Sequence, residues 1–246
     1  KTDFVAVCDL NEAQANKIAG EMGVKAYHRV EALLGQVDAV TIATITPVHY
    51  QLTKLFLENG VHVNVEKPIA LTRAEADELV KIAETKNLVL CVGHSERYNP
   101  AFRELKTKLK KPQFMELNRN APFKLRGSDV SVLHDLMIHD LDLMLSLENS
   151  ACRLVSARAG KMATATYDWC SAGFEFASGL LVNINSSRLA KEMVRTIRVI
   201  DSNKIWLANL QTGELEEGSL TTNPEVPMSY QTQMVGRGDN LLSETE

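Results

Sequence analysis

The sequence predicts an α/β protein in which a parallel-sheet domain is followed by an α+β domain with an open, mainly antiparallel sheet. Three observations predict it. Over about the first ninety residues, short β-branched runs alternate with helical stretches that stop at glycine, a pattern that calls for right-handed crossovers and a parallel sheet. The run VNVEKPIALT, Val63 to Thr72, brings Glu66, Lys67 and Pro68 to the carboxyl end of a buried strand, the edge at which open α/β sheets place their ligands. Beyond about residue 95 the rhythm changes to β segments joined by short turns. The domains are accordingly drawn at 1–95 and 96–246.

Phe4 to Cys8 reads as a short apolar strand ending in Asp9, and Asn11 can cap a helix that runs through Met22 and stops at Gly23. Ala39 to Ala43 is strand-like, His49 to Asn59 is helical with Gly60 as its stop, and His62 to Val65 is the next strand. Thr72, Arg73, Ala74 and Glu75 form a capping box that opens a helix to about Lys86, with a strand following at Val89 to Val92. In the second domain a helix near Pro100 to Lys108 precedes a strand at Phe114 to Asn120. Asp135 to Leu147 is a strong helix. Arg153 to Ala159, Asp168 to Phe176, Gly179 to Ser187, Thr196 to Ile200 and Lys204 to Leu207 are the β segments of an antiparallel sheet.

With 246 residues, 45% of them hydrophobic, 24% charged and a formal net charge of −4, the chain can bury a substantial core. The mild acidity and the lack of a basic stripe argue against a nucleic-acid partner; KLKK at Lys108 to Lys111 is the densest basic cluster and reads as a solvated helix end. Cys8, Cys91, Cys152 and Cys170 are widely spaced without a CxxC pair, as expected of reduced thiols in a cytoplasmic protein. No apolar run approaches 18 residues, so no membrane span is expected. Arg237, Gly238 and Asp239 spell an adhesion tripeptide, read as a chance occurrence.

Three clusters carry chemistry. Asp9 stands at the tip of the first readable strand, where a Rossmann-type dinucleotide fold places the carboxylate that accepts from the adenosine ribose hydroxyls; there it would repel a 2′-phosphate and favour NAD over NADP. The competing reading of Asp9 is a helix cap. No GxGxxG loop precedes it, because the chain begins eight residues earlier, and a truncated protein is the natural expectation. At the second cluster Pro68 fixes its own φ and biases Lys67 away from helical geometry, keeping the ammonium at the strand tip. GHSERYNPAF, Gly93 to Phe102, also follows a strand end; Asn99 reads as the cap of a helix opened by Pro100, while Arg97 and Tyr98 can bind a hydroxylated substrate. The third cluster is HDLMIHDLDL, His134 to Leu143, in which Asp135 and His139 are four apart on one helical face, suited to proton transfer near neutral pH. His134 and His139, five apart, lack the register of a metal-binding HExxH, and no metal is expected.

These segments resemble the Gfo/Idh/MocA family of nicotinamide-dependent sugar oxidoreductases. The resemblance rests on IATITPVHY at Ile42 to Tyr50, FLENGVHVNVEKPIALT at Phe56 to Thr72, VGHSERYNPA at Val92 to Ala101 and DLMIHDLDL at Asp135 to Leu143. It implies a Rossmann domain followed by an α/β domain whose open sheet forms a homo-oligomer interface. It also implies that Lys67 contacts the nicotinamide ribose and the substrate hydroxyl, that Asp135 and His139 face that hydroxyl, and that Thr44, His49 and Glu66 line the cofactor site. The chain departs from the family at Ile45, where a proline is usual, and in lacking the first strand with its glycine loop. Sub-motifs look most like the branch acting on nucleotide sugars, including UDP-N-acetylglucosamine 3-dehydrogenases. The expected activity is therefore hydride transfer between a sugar or nucleotide-sugar carbinol and NAD, with a small-molecule substrate. Two rivals are a non-catalytic dinucleotide- or sugar-binding regulator of the same fold and a Schiff-base enzyme using Lys67; the adjacent Glu66 opposes the depressed lysine pKa that the latter needs.

Overall fold

A computed structural model describes residues 3–125, 127, 130–236, 238–240 and 243; Arg237 of the adhesion tripeptide lies outside them. They divide into two compact units, Lys1–Gly93 and His94–Glu246.

In the first unit the order is β1 (Ala6–Cys8), α1 (Glu12–Met22), β2 (Lys25–Tyr27), β3 (Ala39–Ile42), α2 (His49–Glu58), β4 (His62–Glu66), α3 (Arg73–Lys86) and β5 (Leu90–Gly93), with 3-10 turns at Val30–Leu33 and Thr46–Val48. The helix ends follow the chemistry read from the sequence. Asn11 caps α1 by accepting from Gln14 N–H at 3.2 Å, and Gly23 ends it at φ +68°, in the left-handed region glycine enters without strain. Thr72 and Glu75 form the reciprocal capping box of α3. β1 pairs with β2, and β3, β4 and β5 pair in that order, all parallel. β2 escaped the sequence reading because Lys25, Ala26 and Tyr27 are too few to show a period. Leu57, Val63, Val65 and Leu79 are the best-buried members of an aliphatic core between the β3–β5 ladder and its helices.

The second unit contains α4 (Pro100–Lys108), β6 (Pro112–Asn120), a π-helical turn (Leu133–Met137), α5 (Ile138–Leu147), β7 (Cys152–Gly160), β8 (Trp169–Phe176), β9 (Leu181–Ser187), β10 (Val194–Asp201), β11 (Lys204–Asn209), β12 (Glu214–Leu220) and β13 (Met228–Met234). The strands form one sheet in the order β13-β12-β11-β10-β6-β9-β8-β7. Every neighbouring pair is antiparallel except β6–β9, which is parallel with Leu117 opposite Ile184. The sheet is mainly antiparallel, as expected; α5, β7 and β8 intervene in sequence between β6 and β9, so β9 returns beside β6 in the same direction. β12 and β13 extend the sheet beyond the segments the sequence signalled; β12 is polar apart from Leu215 and Leu220, and β13 alternates Met228, Tyr230 and Met234 with polar residues. Along β6 Met115, Leu117 and Arg119 share the buried face, joining the core with Phe102, Leu105, Leu143 and Met144 from the helices. Among the described residues no helix is long and apolar enough to cross a membrane.

Candidate functional site

The candidate site residues of the first unit stand at or just past the carboxyl ends of its strands. Asp9, exposed just past β1, accepts from Asn11 N–H at 2.8 Å through Oδ1. Asn11, rather than Asp9, is the helix cap, so one Asp9 oxygen is committed to the turn and the second can accept from a ribose hydroxyl. Past β3, Thr44 is exposed and Ile45 is 71% exposed with φ −75°, a value within the range proline imposes, so the backbone is kept where the family's proline is not. β4 ends at Glu66 and is followed by Lys67, both half-buried, and a cis peptide to the buried Pro68.

His49 ties two of these tips together. It is buried at 1% exposure, with Nδ1 2.8 Å from the Pro68 carbonyl oxygen and Nε2 3.1 Å from that of Thr44. A neutral imidazole donates to one of the two and an imidazolium to both. Glu66 lies beside Gly93 of β5, where an added Cβ would stand 3.2 Å from the carboxylate; the glycine leaves that acid its room. A strand-tip carboxylate on β1 and a strand-tip ammonium on β4 are groups suited to the two riboses of a dinucleotide.

In the second unit the helix carrying Asp135 and His139 begins differently from the expected α-helix. Leu133–Met137 is a π turn, with Ile138 N–H donating back to the Leu133 carbonyl five residues earlier, and α5 starts only after it. Turns of this kind widen a helix by one residue and recur at functional sites. Asp135 and His139 are half-buried and His134 is exposed. The other two acids of the motif are structural. Asp140 and Asp142 are both buried: Asp140 accepts from Arg119 Nε at 3.0 Å and Nη2 at 2.8 Å, while Asp142 holds Arg97 through both oxygens, at 2.7 and 2.5 Å. His94 Nε2 stands 3.7 Å from Asp142.

Arg97 thus has one face committed to Asp142, which holds its guanidinium above its ordinary value, while half of its side chain stays exposed. Tyr98, half-buried, ends the 3-10 turn Ser95–Tyr98. Asn99 is the cap of α4, accepting from Ala101 N–H at 3.0 Å and donating to the Leu210 carbonyl at 2.8 Å.

Sequence reasoning missed two buried ionic assemblies. Arg119 bridges Asp140 and Glu96, which also meets Arg195 Nη1 at 3.4 Å. Burial opposes the charge of Arg119, but Asp140 and Glu96 outweigh it and hold the guanidinium above its usual range; burial also pushes the Asp140 carboxyl up, against the pull of Arg119. The second assembly surrounds Asp168, which accepts three backbone N–H groups, from Met162, Ala163 and Thr164, and the Thr164 hydroxyl, beside Arg188. The buried Asp168 carboxyl is driven well below the carboxylate range: burial acts upward, and the four donors overcome it. An arginine in β6 that continues an apolar row was the one signal available for the first assembly. Among the described residues no group of three His, Cys, Asp or Glu side chains is placed to hold a metal ion.

Residues 1–94 match the family described as "Oxidoreductase family, NAD-binding Rossmann fold", and residues 112–203 match the GFO/IDH/MocA C-terminal domain. A solved structure of UDP-N-acetylglucosamine 3-dehydrogenase GnnA from Acidithiobacillus ferrooxidans superposes with a TM-score of 0.88 at 31% identity, over 98% of this chain and 78% of that one. The chain belongs to the Gfo/Idh/MocA family. The curated sequence of UDP-N-acetylglucosamine 3-dehydrogenase from the same organism is 37% identical over 201 residues, covering 80% of this chain and 64% of the relative. Inositol 2-dehydrogenase from Rhizobium meliloti is 28% identical over 209 residues, covering 76% and 62%. The chain therefore spans slightly less than two thirds of the length of these curated relatives.

Proposed function

We propose that this protein is a nicotinamide-dependent dehydrogenase that oxidises a secondary hydroxyl of a sugar or nucleotide sugar, with a UDP-N-acetylhexosamine as the substrate class and NAD preferred over NADP. The observation that carries the reading is Lys67 at the carboxyl tip of β4, between Glu66 and Pro68, in a unit that matches an NAD-binding family. Likeness to UDP-N-acetylglucosamine 3-dehydrogenase supports the substrate class, and the Asp9 carboxylate supports NAD, since it would repel a 2′-phosphate.

Asp9 accepts from the adenosine ribose, and Thr44, Glu66 and Lys67 line the rest of the cofactor site. His49 acts at one remove, holding the Thr44 and Pro68 backbone rather than touching the ligand. A nicotinamide held there would supply the hydride acceptor for the carbinol carbon. Lys67 stabilises the developing charge on the hydroxyl oxygen, and His139, oriented by Asp135, takes the hydroxyl proton; the carbinol becomes a ketone. Arg97 and Tyr98 bind the substrate. The protein works in the cytoplasm and pairs with copies of itself through the outer face of the eight-stranded sheet, where Trp169 and Leu181 are exposed. Sedimentation of a sample carrying Trp169→Glu and Leu181→Glu tests that pairing; an assembly unchanged from the parent, or a parent that sediments as a single chain, removes it.

The test of the activity is formation of NADH absorbance from UDP-N-acetylglucosamine and NAD. Turnover supports the reading. Dinucleotide binding without turnover on any UDP-sugar favours a regulatory binder of the same fold, in which Lys67, Asp135 and His139 would have no proton to move.

A further inference from the structure

The segment leading into the π turn is held from the sheet by one arginine. Arg188, just past β9, is 5% exposed; its Nη1 donates to the Gly127 carbonyl at 3.1 Å and its Nη2 to the Val130 carbonyl at 2.6 Å. Its own N–H donates to the Asp168 carbonyl at 3.0 Å, and its Nε lies 3.9 Å from Asp168 Oδ1. Asp168 is itself fixed by the three N–H groups and the hydroxyl described above, so the guanidinium is aimed by a group with little freedom. Two further bonds pin the same segment: Thr166 Oγ1 to the Val130 carbonyl at 3.2 Å, and Val132 N–H to the Tyr167 carbonyl at 2.9 Å.

The far end of the clamp reaches Asp135. Gly127 has φ +80° and sits so close to that side chain that a Cβ added there would stand 3.3 Å from Asp135 Oδ2. The Asp135 N–H in turn donates to the Ser131 carbonyl at 3.1 Å, inside the clamped segment. Asp135 thus meets this stretch twice, its carboxylate beside Gly127 and its backbone N–H at Ser131, and Arg188 grips the Gly127 and Val130 carbonyls of the same stretch.

We infer that Arg188 is a positioning residue, which sets the place of the Asp135 carboxylate by gripping the Gly127 and Val130 carbonyls. The inference rests on the proposed role of Asp135 beside His139. Arg188 need touch neither substrate nor cofactor. Its planar fork suits two carbonyls at once, which an ammonium cannot match, so lysine should restore the function only in part.

The experiment uses the full chain and two independent readouts: steady-state kinetics with NAD and UDP-N-acetylglucosamine across pH, and the 13C titration of the Asp135 carboxyl followed by NMR. Arg188→Met is expected to lower kcat by about 10- to 100-fold, the cost of a displaced catalytic group, with KM for NAD unchanged. It should also move the Asp135 titration midpoint, and Arg188→Lys should recover part of both effects. Gly127→Ala, which crowds Asp135 while leaving Arg188 in place, should move the same midpoint and serves if Arg188→Met fails to fold. A midpoint unmoved in every variant that folds, or an Arg188→Met protein with lower thermal stability but the parent's kcat and pH profile, overturns the inference. Should the parent itself show no turnover while the midpoint responds to Arg188, the proposed function fails and the positioning stands.

Discussion

In the first unit the buried polar side chains among the described residues are His49 and Thr53, set against an aliphatic core; the second unit buries five acids and two arginines. The first keeps the charged groups of its candidate site at strand tips, where Asp9, Glu66 and Lys67 are partly or wholly open to solvent. The second threads charge through the middle of its packing, with Arg119 in the row of Met115 and Leu117. The difference teaches where each unit is vulnerable. A strand-tip charge carries no core and can be removed for its chemistry alone. A buried charge holds its partners, and removing it strands them.

The largest effect should fall in the second unit. Arg119→Ala leaves Asp140 buried without its cation and Glu96 with only Arg195, and is expected to cost about 3–5 kcal/mol of stability, read as a lower denaturant midpoint. A loss below about 1 kcal/mol would show the two units to be alike. Lys67→Ala should do the reverse, lowering turnover by about 10²-fold or more with a nearly unchanged thermal midpoint, and His139→Ala should match it. Unfolding of both would remove the catalytic assignment.

Asp168 gives the contrast a pH dependence. Its folded pKa is depressed below the unfolded value, so its stabilisation is fully present above the ordinary carboxylate range, about pH 4, and is lost as pH falls through the folded value. Asp168→Asn should therefore lower the thermal midpoint most at neutral pH, with the gap to the parent closing in acid; a gap that widens in acid contradicts the donor cage. The smallest effect belongs to the first unit: Thr72→Ala, which removes one side of a capping box, should cost about 1 kcal/mol by chemical denaturation.

How much could be read from the sequence follows the same division. The first unit was legible because its signals are local: Asn11 and Gly23 bound α1, Thr72 and Glu75 open α3, and Pro68 keeps Lys67 at the tip of β4. In the second unit α4 and most strands were legible for the same reason, but its ionic assemblies were not. Glu96 and Arg119 are 23 residues apart, Arg97 and Asp142 are 45, and only the tertiary packing of the unit brings such pairs together. The π turn was hidden too, since one extra residue in a helical turn leaves the apolar pattern around Asp135 and His139 intact. A run with three acids looked like a catalytic concentration, whereas two of the three, Asp140 and Asp142, serve arginines inside the unit.

The measurement that bears most directly on the proposed dehydrogenase is titration of the full chain with NAD, with and without UDP-N-acetylglucosamine, followed at the nicotinamide absorbance band, in parallel with Lys67→Ala. The account predicts NADH formation by the parent and at least about a 10²-fold slower rate in the variant at equal thermal stability. Equal rates in the two proteins, or NAD binding with no reduction on any UDP-sugar, would contradict it.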